Sequence, residues 1–510
     1  MKNILLLLLL LFTKPVTYAS TEPVNTISVI LHGIRNDGSP IGKELNELVK
    51  DSYGKTLYFP AGTYTLTEAI VLPFNYEKSV NLILDPSATL RTDSKLDALL
   101  KIGFSEMEHP DHSLRKFSLV EGGKFDCTNA DNGIWVNGLK QLVSLRKMSV
   151  FNGRKCHIRI SVTEDFKGTG SSDTKLDDVT IQGPSSEEEI TGLYIDHSCC
   201  DCKIADCFIY GCKYGMLTRS AGHIVNNLHI LSMHTGLGKR SQPPFFHDTE
   251  GIRIESGGFF IFNEVYFDTT DRDFVIAKGC NPQLIIDKCI THTYMKNLGK
   301  SFIYRDHEDK QQLMLKVSNC IFNLDGKPKG FRIFDIAPEI IWEDVNDRIT
   351  FSNCLVNWPH HIHPTDPAHL LRFEHRTAQA VTQQAQVAKT DEWYVMAALA
   401  PSESRAELQF IFGESKMWLS GKFDGERLTA EQPTTDSDAK EMELGWTVKD
   451  GVCLLCFRTK KEVRLRPEII DLLGNAALMG TPHTTSLWTL KDYGAETHSP
   501  TLLHMKKKKR

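Results

Sequence analysis

The chain has 510 residues, of which 41% are hydrophobic and 24% charged, with a net charge of −5. That is enough material for one to three domains and a large core. The slight negative balance supplies no basic excess for nucleic acid or for an anionic membrane, so neither is expected as a partner.

Met1-Lys2-Asn3 precedes an unbroken apolar run, Ile4 to Phe12, and then Thr17-Tyr18-Ala19, with small residues where a signal peptidase reads. This pattern predicts a signal peptide over residues 1–19, cleaved after Ala19. The run is well short of the ~20 apolar residues of a spanning helix. An exported protein that does not span a membrane is therefore expected, with a periplasmic, secreted or cell-surface location.

Residues 27–38 read as a strand running into a Gly-rich turn, and Ile41, Leu45, Leu48 and Val49 have helical spacing. Leu57-Tyr-Phe-Pro-Ala-Gly-Thr-Tyr-Thr-Leu66 reads as two short strands about a Pro-Ala-Gly turn. Strand, Gly-x-x-x-Asp-Gly, helix and then Tyr58-Phe-Pro-Ala-Gly-Thr-Tyr64 resembles the N-terminal cap of the pectate-lyase-like superfamily. The resemblance implies a right-handed parallel β-helix over about residues 27–360. Ser39-Pro40-Ile41 stands where that family often carries Asp-Asp-Thr. A helix covering the open end of a stacked core is what a solenoid requires on physical grounds as well.

A repeat is legible independently of the resemblance. Phe262-x-x-Val265-x-Phe267 recurs with its middle position at Met148, Val179, Cys207, Leu228, Cys289, Cys320 and Cys354, at intervals of 21 to 37 residues. Such intervals are those of a solenoid with loops of varying length. Cys207, Cys289, Cys320 and Cys354 share their position with Met, Val and Leu, so they read as small buried apolar residues rather than disulfide partners. For Cys199, Cys200, Cys202 and Cys212 a disulfide stays open, while ligand spacing for zinc is lacking.

Each run follows a short strand, as in Ile134-Trp-Val-Asn137, Cys156-His-Ile-Arg-Ile160, Leu193-Tyr-Ile-Asp196, Met216-Leu-Thr-Arg219, Ile252-Arg-Ile-Glu255, Phe274-Val-Ile-Ala277, Phe302-Ile-Tyr-Arg305 and Phe331-Arg-Ile-Phe334. First and third residues are expected to face inward, second and fourth outward. Eight coils are predicted between about 133 and 358, preceded by less regular ones from 79 to 127. An antiparallel sandwich would predict hairpin turns such as Asn-Gly between strand pairs, and the constant two-run unit favours the β-helix over it.

Stacked strands lie about 4.8 Å apart, so outward residues at one register form ladders. One ladder is expected to hold Asn137, Arg159, Asp196, Arg219, Glu255, Ala277 and Arg305, and the other Trp135, His157, Tyr194, Arg253 and Arg332. Arginine forks suit carboxylate or sulfate, and aromatic faces suit sugar rings. The same ladder also reads as salt bridges that only offset charge along the stack. Between Ile230 and Gly251 the chain inserts a loop with His234, Lys239, Arg240, His247, Asp248 and Glu250, which reads as the wall of a cleft beside Arg253 and Glu255. Tyr304 to Lys310 is a second polar cluster, with Glu308 to Lys310 read as an exposed charged turn.

Beyond a polar stretch at 376–391, read as a linker, Trp393-Tyr-Val-Met, Leu408-Gln-Phe-Ile-Phe, Met417-Trp-Leu, Met442-Glu-Leu-Gly-Trp and Val452-Cys-Leu-Leu-Cys-Phe are strands without the repeat. They predict a small β-rich domain over 392–510, with Lys506–Arg510 as a solvated tail. The fold class expected is all-β, a right-handed parallel β-helix over 20–375 with a short capping helix.

Two chemistries fit the ladder. A polysaccharide lyase acting on a uronic-acid glycan by β-elimination needs a cation against the carboxylate, for which Arg219, Arg253 and Arg305 are candidates. It also needs a base, for which His247, Lys239 and Tyr194 are candidates. Arg159, His157, Arg305, Trp135, Tyr194 and Asp248 are candidate substrate contacts. A glycoside hydrolase would use Asp196 and Glu255, two coils apart or roughly 10 Å between backbones, near the inverting range of about 6.5–9.5 Å. The Gly-Asp-Asp, Gly-His-Gly and Arg-Ile-Lys motifs of the polygalacturonase branch are absent. No cluster of aspartates marks a calcium site, so Ca2+ stays open as a cofactor. The expectation is a lyase first, a hydrolase second and a non-catalytic glycan-binding surface protein third, with a polysaccharide or oligosaccharide as the partner.

Overall fold

Apolar residues at i, i+3 and i+5 do not fit a straight strand, and the way the chain accommodates them shapes each coil. In the computed structural model the repeated run is one strand bent at a single residue with left-handed backbone: Lys147, Asp178, Asp206, Asn227 and Glu264 have φ between 51° and 56°. Lys288 and Asn319 do the same between two shorter strands. The bend resets the alternation, so residues three apart both face inward. Successive corners pair: Asn227 Nδ2 donates to Asp206 Oδ1 at 2.6 Å and Lys288 Nζ to Glu264 Oε1 at 3.2 Å.

The structure describes residues 25–106, 118–163, 170–184, 189–231, 248–292, 299–306, 313–324, 330–335 and 349–357 without 353. Beyond these it describes 386–399, 406–412, 415–431, 433–435, 442–449, 452–465, 467–471, 478–480, 489–491, 494–495, 499–504 and 506–507. The predicted signal peptide and residues 358–385 fall outside this set.

Among the described residues, short strands stack in parallel as one 10-stranded sheet, from Ile70–Pro73 to Arg332–Asp335, and the bent strands stack as a 17-stranded sheet. The chain is a right-handed parallel β-helix. The eight coils expected from 133 onward correspond to the eight strands from Ala130–Asn137 to Arg332–Asp335. Between the sheets lies one continuous apolar core. Its rows are those read from the repeat, with Met148 level with Val179, and Cys207, Leu228 and Val265 in line. Cys207, Cys289 and Cys320 are buried and Cys354 half-buried, and all 13 cysteines, including Cys199, Cys200, Cys202 and Cys212, are free thiols. Burial pushes the Cys207 thiol up to about 12, which makes it inert. In the central coils the core turns aromatic: Phe274 meets Phe262 at 5.0 Å, Phe267 at 4.9 Å and Phe302 at 5.3 Å.

In three successive coils the position before the inward pair has no room for a side chain. A Cβ on Gly192, Gly215 or Gly251 would lie 2.6–2.7 Å from the carbonyl oxygen of the next coil. The sequence Gly-Ile/Leu/Met-x thus marks where the inward pair begins in these coils.

At the N-terminal end the helix Glu44–Asp51 buries Leu45, Leu48 and Val49 over the first coils. The strand and turn expected over 27–38 are the strand Thr26–Ser28, a 3-10 turn, Val29–His32, that ends at Gly33 with φ 81°, and the start of a second strand, Asp37–Ile41. Period two fails in the 3-10 turn, and Leu31 is 82% exposed. The Pro-Ala-Gly turn links the strands Thr56–Phe59 and Gly62–Leu66, with Tyr64 OH donating to Pro60 O at 2.8 Å. After residue 386 the sheets are mainly antiparallel and have their own apolar cluster around Met417, Leu419, Leu455 and Phe457. Lys506 and Lys507 pair in parallel with Thr434 and Thr435, so the predicted solvated tail is in part a strand.

Candidate functional site

The outer face of the ten-stranded sheet carries the ladders, and their register differs from expectation at three strands. Lys101, Trp135, Arg159, Tyr194, Leu217, Arg253, Val275, Tyr304 and Asp335 are successive partners. Arg159 therefore stands with Trp135 and Tyr194, not with Asp196. In that coil the tetrad begins at Ile158, because His157 occupies the glycine column, level with Gly133 and Gly192. His157 is fully buried and faces no groove. Gly153 N donates to its Nε2 at 3.1 Å and Thr191 O lies 3.4 Å from its Nδ1, so it ties two coils together as a neutral ring.

A second outward row follows the inward Ile195, Thr218, Ile254, Ile276 and Arg305 by one residue: Asp196, Arg219, Glu255, Ala277 and Asp306. Arg305 is thus an inward residue, 3% exposed, and Asp306 takes the place expected for it. Asn137 is also buried, donating to Gly103 O at 2.8 Å. Arg332 is level with Ser301 rather than with Arg253. His247 and Lys239 lie outside the described residues.

The structure gathers Asp196, Tyr194, Arg219, Arg253 and Glu255 into one network. Glu255 accepts from Arg253 Nε at 2.7 Å and from Arg219 Nε at 2.8 Å. Arg253 Nη1 donates to both oxygens of Glu250, at 3.1 and 3.3 Å, and Nη2 reaches Asp306 at 3.4 Å. Arg219 Nη1 donates to Tyr194 OH at 3.1 Å, and Tyr194 OH donates to Asp196 Oδ1 at 3.1 Å. Asp196 Oδ1 also accepts from His197 N and lies 2.9 Å from His197 Nδ1. Asp248 is exposed and pairs with Lys300 and with Arg272, 3.5 Å away. Arg272 in turn covers the Tyr304 ring at 4.4 Å.

The carboxyl groups of Glu255, Asp196 and Glu250 are not equivalent. Burial works against the Glu255 carboxylate, but the hydrogen bonds from Arg253 and Arg219 outweigh it and hold its pKa below the ordinary value. Burial likewise opposes the Asp196 carboxylate, and the His197 and Tyr194 hydrogen bonds overcome it. At Glu250 burial prevails over Arg253, and the pKa is raised. Burial pushes the Tyr194 phenol up to about 12, which makes it a poor base near neutrality. Glu250, whose pKa is raised, and Glu255, whose pKa is lowered, therefore sit on one guanidinium.

Glu250, Asp306, His197 and Ser161 did not stand out as ladder members in the sequence. The signal for Glu250 was the glycine column: it directly precedes Gly251, as Thr191 precedes Gly192 and Tyr214 precedes Gly215. Among the described residues no group of three or more His, Cys, Asp or Glu is placed to hold a metal ion, and no helix is long and apolar enough to cross a membrane.

No protein-family model matches the chain, and no curated protein matches it. Solved structures do match. One is Geobacillus virus E2 ORF18, at 12% identity and TM-score 0.42, covering 88% of this chain and 77% of that one. Another is tailspike protein 2 of Escherichia coli O157:H7 bacteriophage CAB120, at 10% identity and TM-score 0.41, covering 90% and 73%. A third is Pantoea stewartii WceF, described as a glycan biofilm modifying enzyme with a tailspike-like parallel β-helix, at 12% identity and TM-score 0.32, covering 91% and 65%.

Proposed function

We propose that the chain is an exported glycan-active enzyme whose reaction centre is the carboxyl–arginine cluster around Arg253, and that it cleaves a polysaccharide by hydrolysis. The observation that carries this reading is the pairing on Arg253 of Glu250, whose pKa is raised, with Glu255, whose pKa is lowered. Glycoside hydrolysis needs one protonated and one ionised carboxyl on either side of the scissile bond. Two carboxyls bound to one guanidinium are on the order of 5–8 Å apart, given hydrogen bonds of about 3 Å. That interval spans the retaining and inverting separations. Asp196 and Glu255, the pair expected from the sequence, both have lowered pKa values, so neither is favoured as the acid and Asp196 is assigned a binding role. On this reading Glu250 protonates the leaving oxygen, Glu255 acts as nucleophile or base, and Arg219 with Arg253 fixes the charge of Glu255.

β-Elimination on an acidic glycan, the first expectation, becomes the second reading. Arg219 and Arg253 are occupied by carboxylates and Tyr194 is a weak base, which lowers it. The arginine-rich face favours it, with Lys239 or His247 as base. We further read residues 1–19 as an export signal, Tyr58–Tyr64 with the helix as a pectate-lyase-like cap, and 392–510 as a separate β-rich domain joined through 376–391.

The test is incubation with a panel of polysaccharides, following both reducing ends and the ultraviolet absorbance of an unsaturated uronate. Hydrolysis gives reducing ends without that absorbance. Absorbance that persists in Glu250→Gln and Glu255→Gln would replace the hydrolase by the lyase. Binding without any product would leave a glycan-binding protein.

A further inference from the structure

We propose that Arg159 is an anion subsite, separate from the reaction centre, that holds a carboxylate or sulfate of the glycan between two aromatic walls. This deepens the glycan-active reading above and rests on it. Arg219, Arg253, Arg272 and Arg332 on this sheet each have a carboxylate partner. Arg159 has none among the described residues; its only hydrogen bond there runs from Nε to Ser161 Oγ at 2.8 Å. Its two terminal nitrogens, the ones that form a fork toward an anion, are left uncommitted.

The guanidinium is nonetheless fixed. It lies 4.5 Å from the centre of the Trp135 ring and 5.7 Å from that of Tyr194. Ser161, fully buried, accepts from Arg159 Nε and, at 2.9 Å, from Trp135 Nε1. One buried hydroxyl thus sets the orientation of both side chains before any ligand arrives, so little rotamer entropy remains to be lost on binding. A bare structural arginine on a β-helix face would be expected to meet a carboxylate, as Arg219, Arg253, Arg272 and Arg332 do. A cation held rigid by aromatic rings and left without a counter-charge is instead arranged for a ligand's charge, with ring surfaces beside it for a sugar.

The subsite lies three strands from Glu255 along the sheet, or roughly 14 Å at the inter-strand spacing. A glycan must therefore extend over several residues to reach both, and its charged group is recognised away from the bond that is broken. Arg159 acts on affinity and specificity, not on the chemical step.

The experiment measures binding of three hexasaccharides to the full chain by calorimetry: an oligogalacturonide, a chondroitin sulfate fragment and neutral maltohexaose. Wild type is expected to bind one acidic probe more tightly than the neutral one, and the stronger acidic probe identifies carboxylate or sulfate. Arg159→Met, which keeps most of the packing, should weaken that probe roughly 10- to 100-fold, the worth of a charge-assisted hydrogen-bond pair. Arg159→Lys should recover only part of the loss. Equal binding of the acidic probe by wild type and Arg159→Met, or neutral binding as tight as acidic, overturns the subsite and leaves the Arg253 centre standing. No binding of any of the three probes by a folded wild type overturns this inference and the glycan-active reading together.

Discussion

The two sides of the ten-stranded sheet follow different rules. Most inward positions are interchangeable: Ile, Leu, Val, Met, Phe and Cys recur at the same rows, with Thr218 and Arg305 as exceptions. Outward positions are individual. Between Trp135 and Tyr194 cations alternate with aromatic rings, while from Arg219 to Asp306 each cation meets a carboxylate. Substitution inside is therefore expected to cost stability with little effect on the action of the folded molecule, and substitution outside the reverse.

The sharpest test of that division is Glu255→Gln. Loss of a catalytic carboxylate should lower turnover roughly 10²- to 10⁴-fold, while the thermal midpoint changes little because the residue sits on an exterior ladder. Glu250→Gln should act similarly, and a reaction still at wild-type rate in both variants breaks the assignment. On the inner side, Phe274→Ala removes the ring at the centre of the aromatic column and should destabilise the chain by about 3–5 kcal/mol. Denaturant melts measure this, and activity per folded molecule should be retained.

Two buried histidines make the interior sensitive to acid. His223 is fully buried; Cys202 N donates to its Nδ1 at 3.2 Å, and Thr218 and Ser220 hydroxyls lie near Nε2. Burial lowers its pKa to about 3 and that of His157 to about 4, from an ordinary 6.5. Between these values and 6.5 the unfolded chain binds protons that the folded one does not, so stability rises with pH across that window. It should fall as pH drops from 6.5 toward 4, at up to about 1.4 kcal/mol per pH unit for each ring. His157→Gln or His223→Gln should flatten the slope, and an unchanged slope in both would remove the histidines as its source. Lys140, buried with Nζ donating to Pro73 O at 2.8 Å and Phe74 O at 2.9 Å, works the same way at higher pH. Burial lowers its pKa to about 7, so its contribution also rises with pH, between 7 and the ordinary 10.5. The smallest of these effects is expected for Gly251→Ala. Its Cβ would meet Asp273 O at 2.6 Å, and relief of that contact should cost about 1–3 kcal/mol.

Much of the architecture was legible beforehand. The i, i+3, i+5 spacing placed Met148, Val179, Cys207, Leu228 and Val265 in one row, and the cysteines in that row are buried thiols as expected. Asp196, Arg219 and Glu255 were placed on one ladder correctly, since nothing shifts register between their strands. His157, Arg159, Arg305 and Arg332 were misplaced because their inward pairs start one to three residues later than the apolar pattern alone indicates. The coil before Ile158 contains a histidine where its neighbours have glycine, and the strand Ser301–Arg305 aligns Ile303, not Phe302, with Phe274.

The sequence by itself determined the repeat, the rows of the core and the capping helix, because apolar burial depends on spacing that any coil repeats. Only the tertiary structure decided which charged residues meet. In a strand a one-residue shift turns a side chain from solvent to core, and a two-residue shift moves it to another ladder. That shift is set by contacts between coils, such as the glycine column and the αL corners. It sends Arg305 inward, leaves Arg159 between Trp135 and Tyr194, and brings Glu250 and Glu255, five positions apart in the chain, onto the same guanidinium.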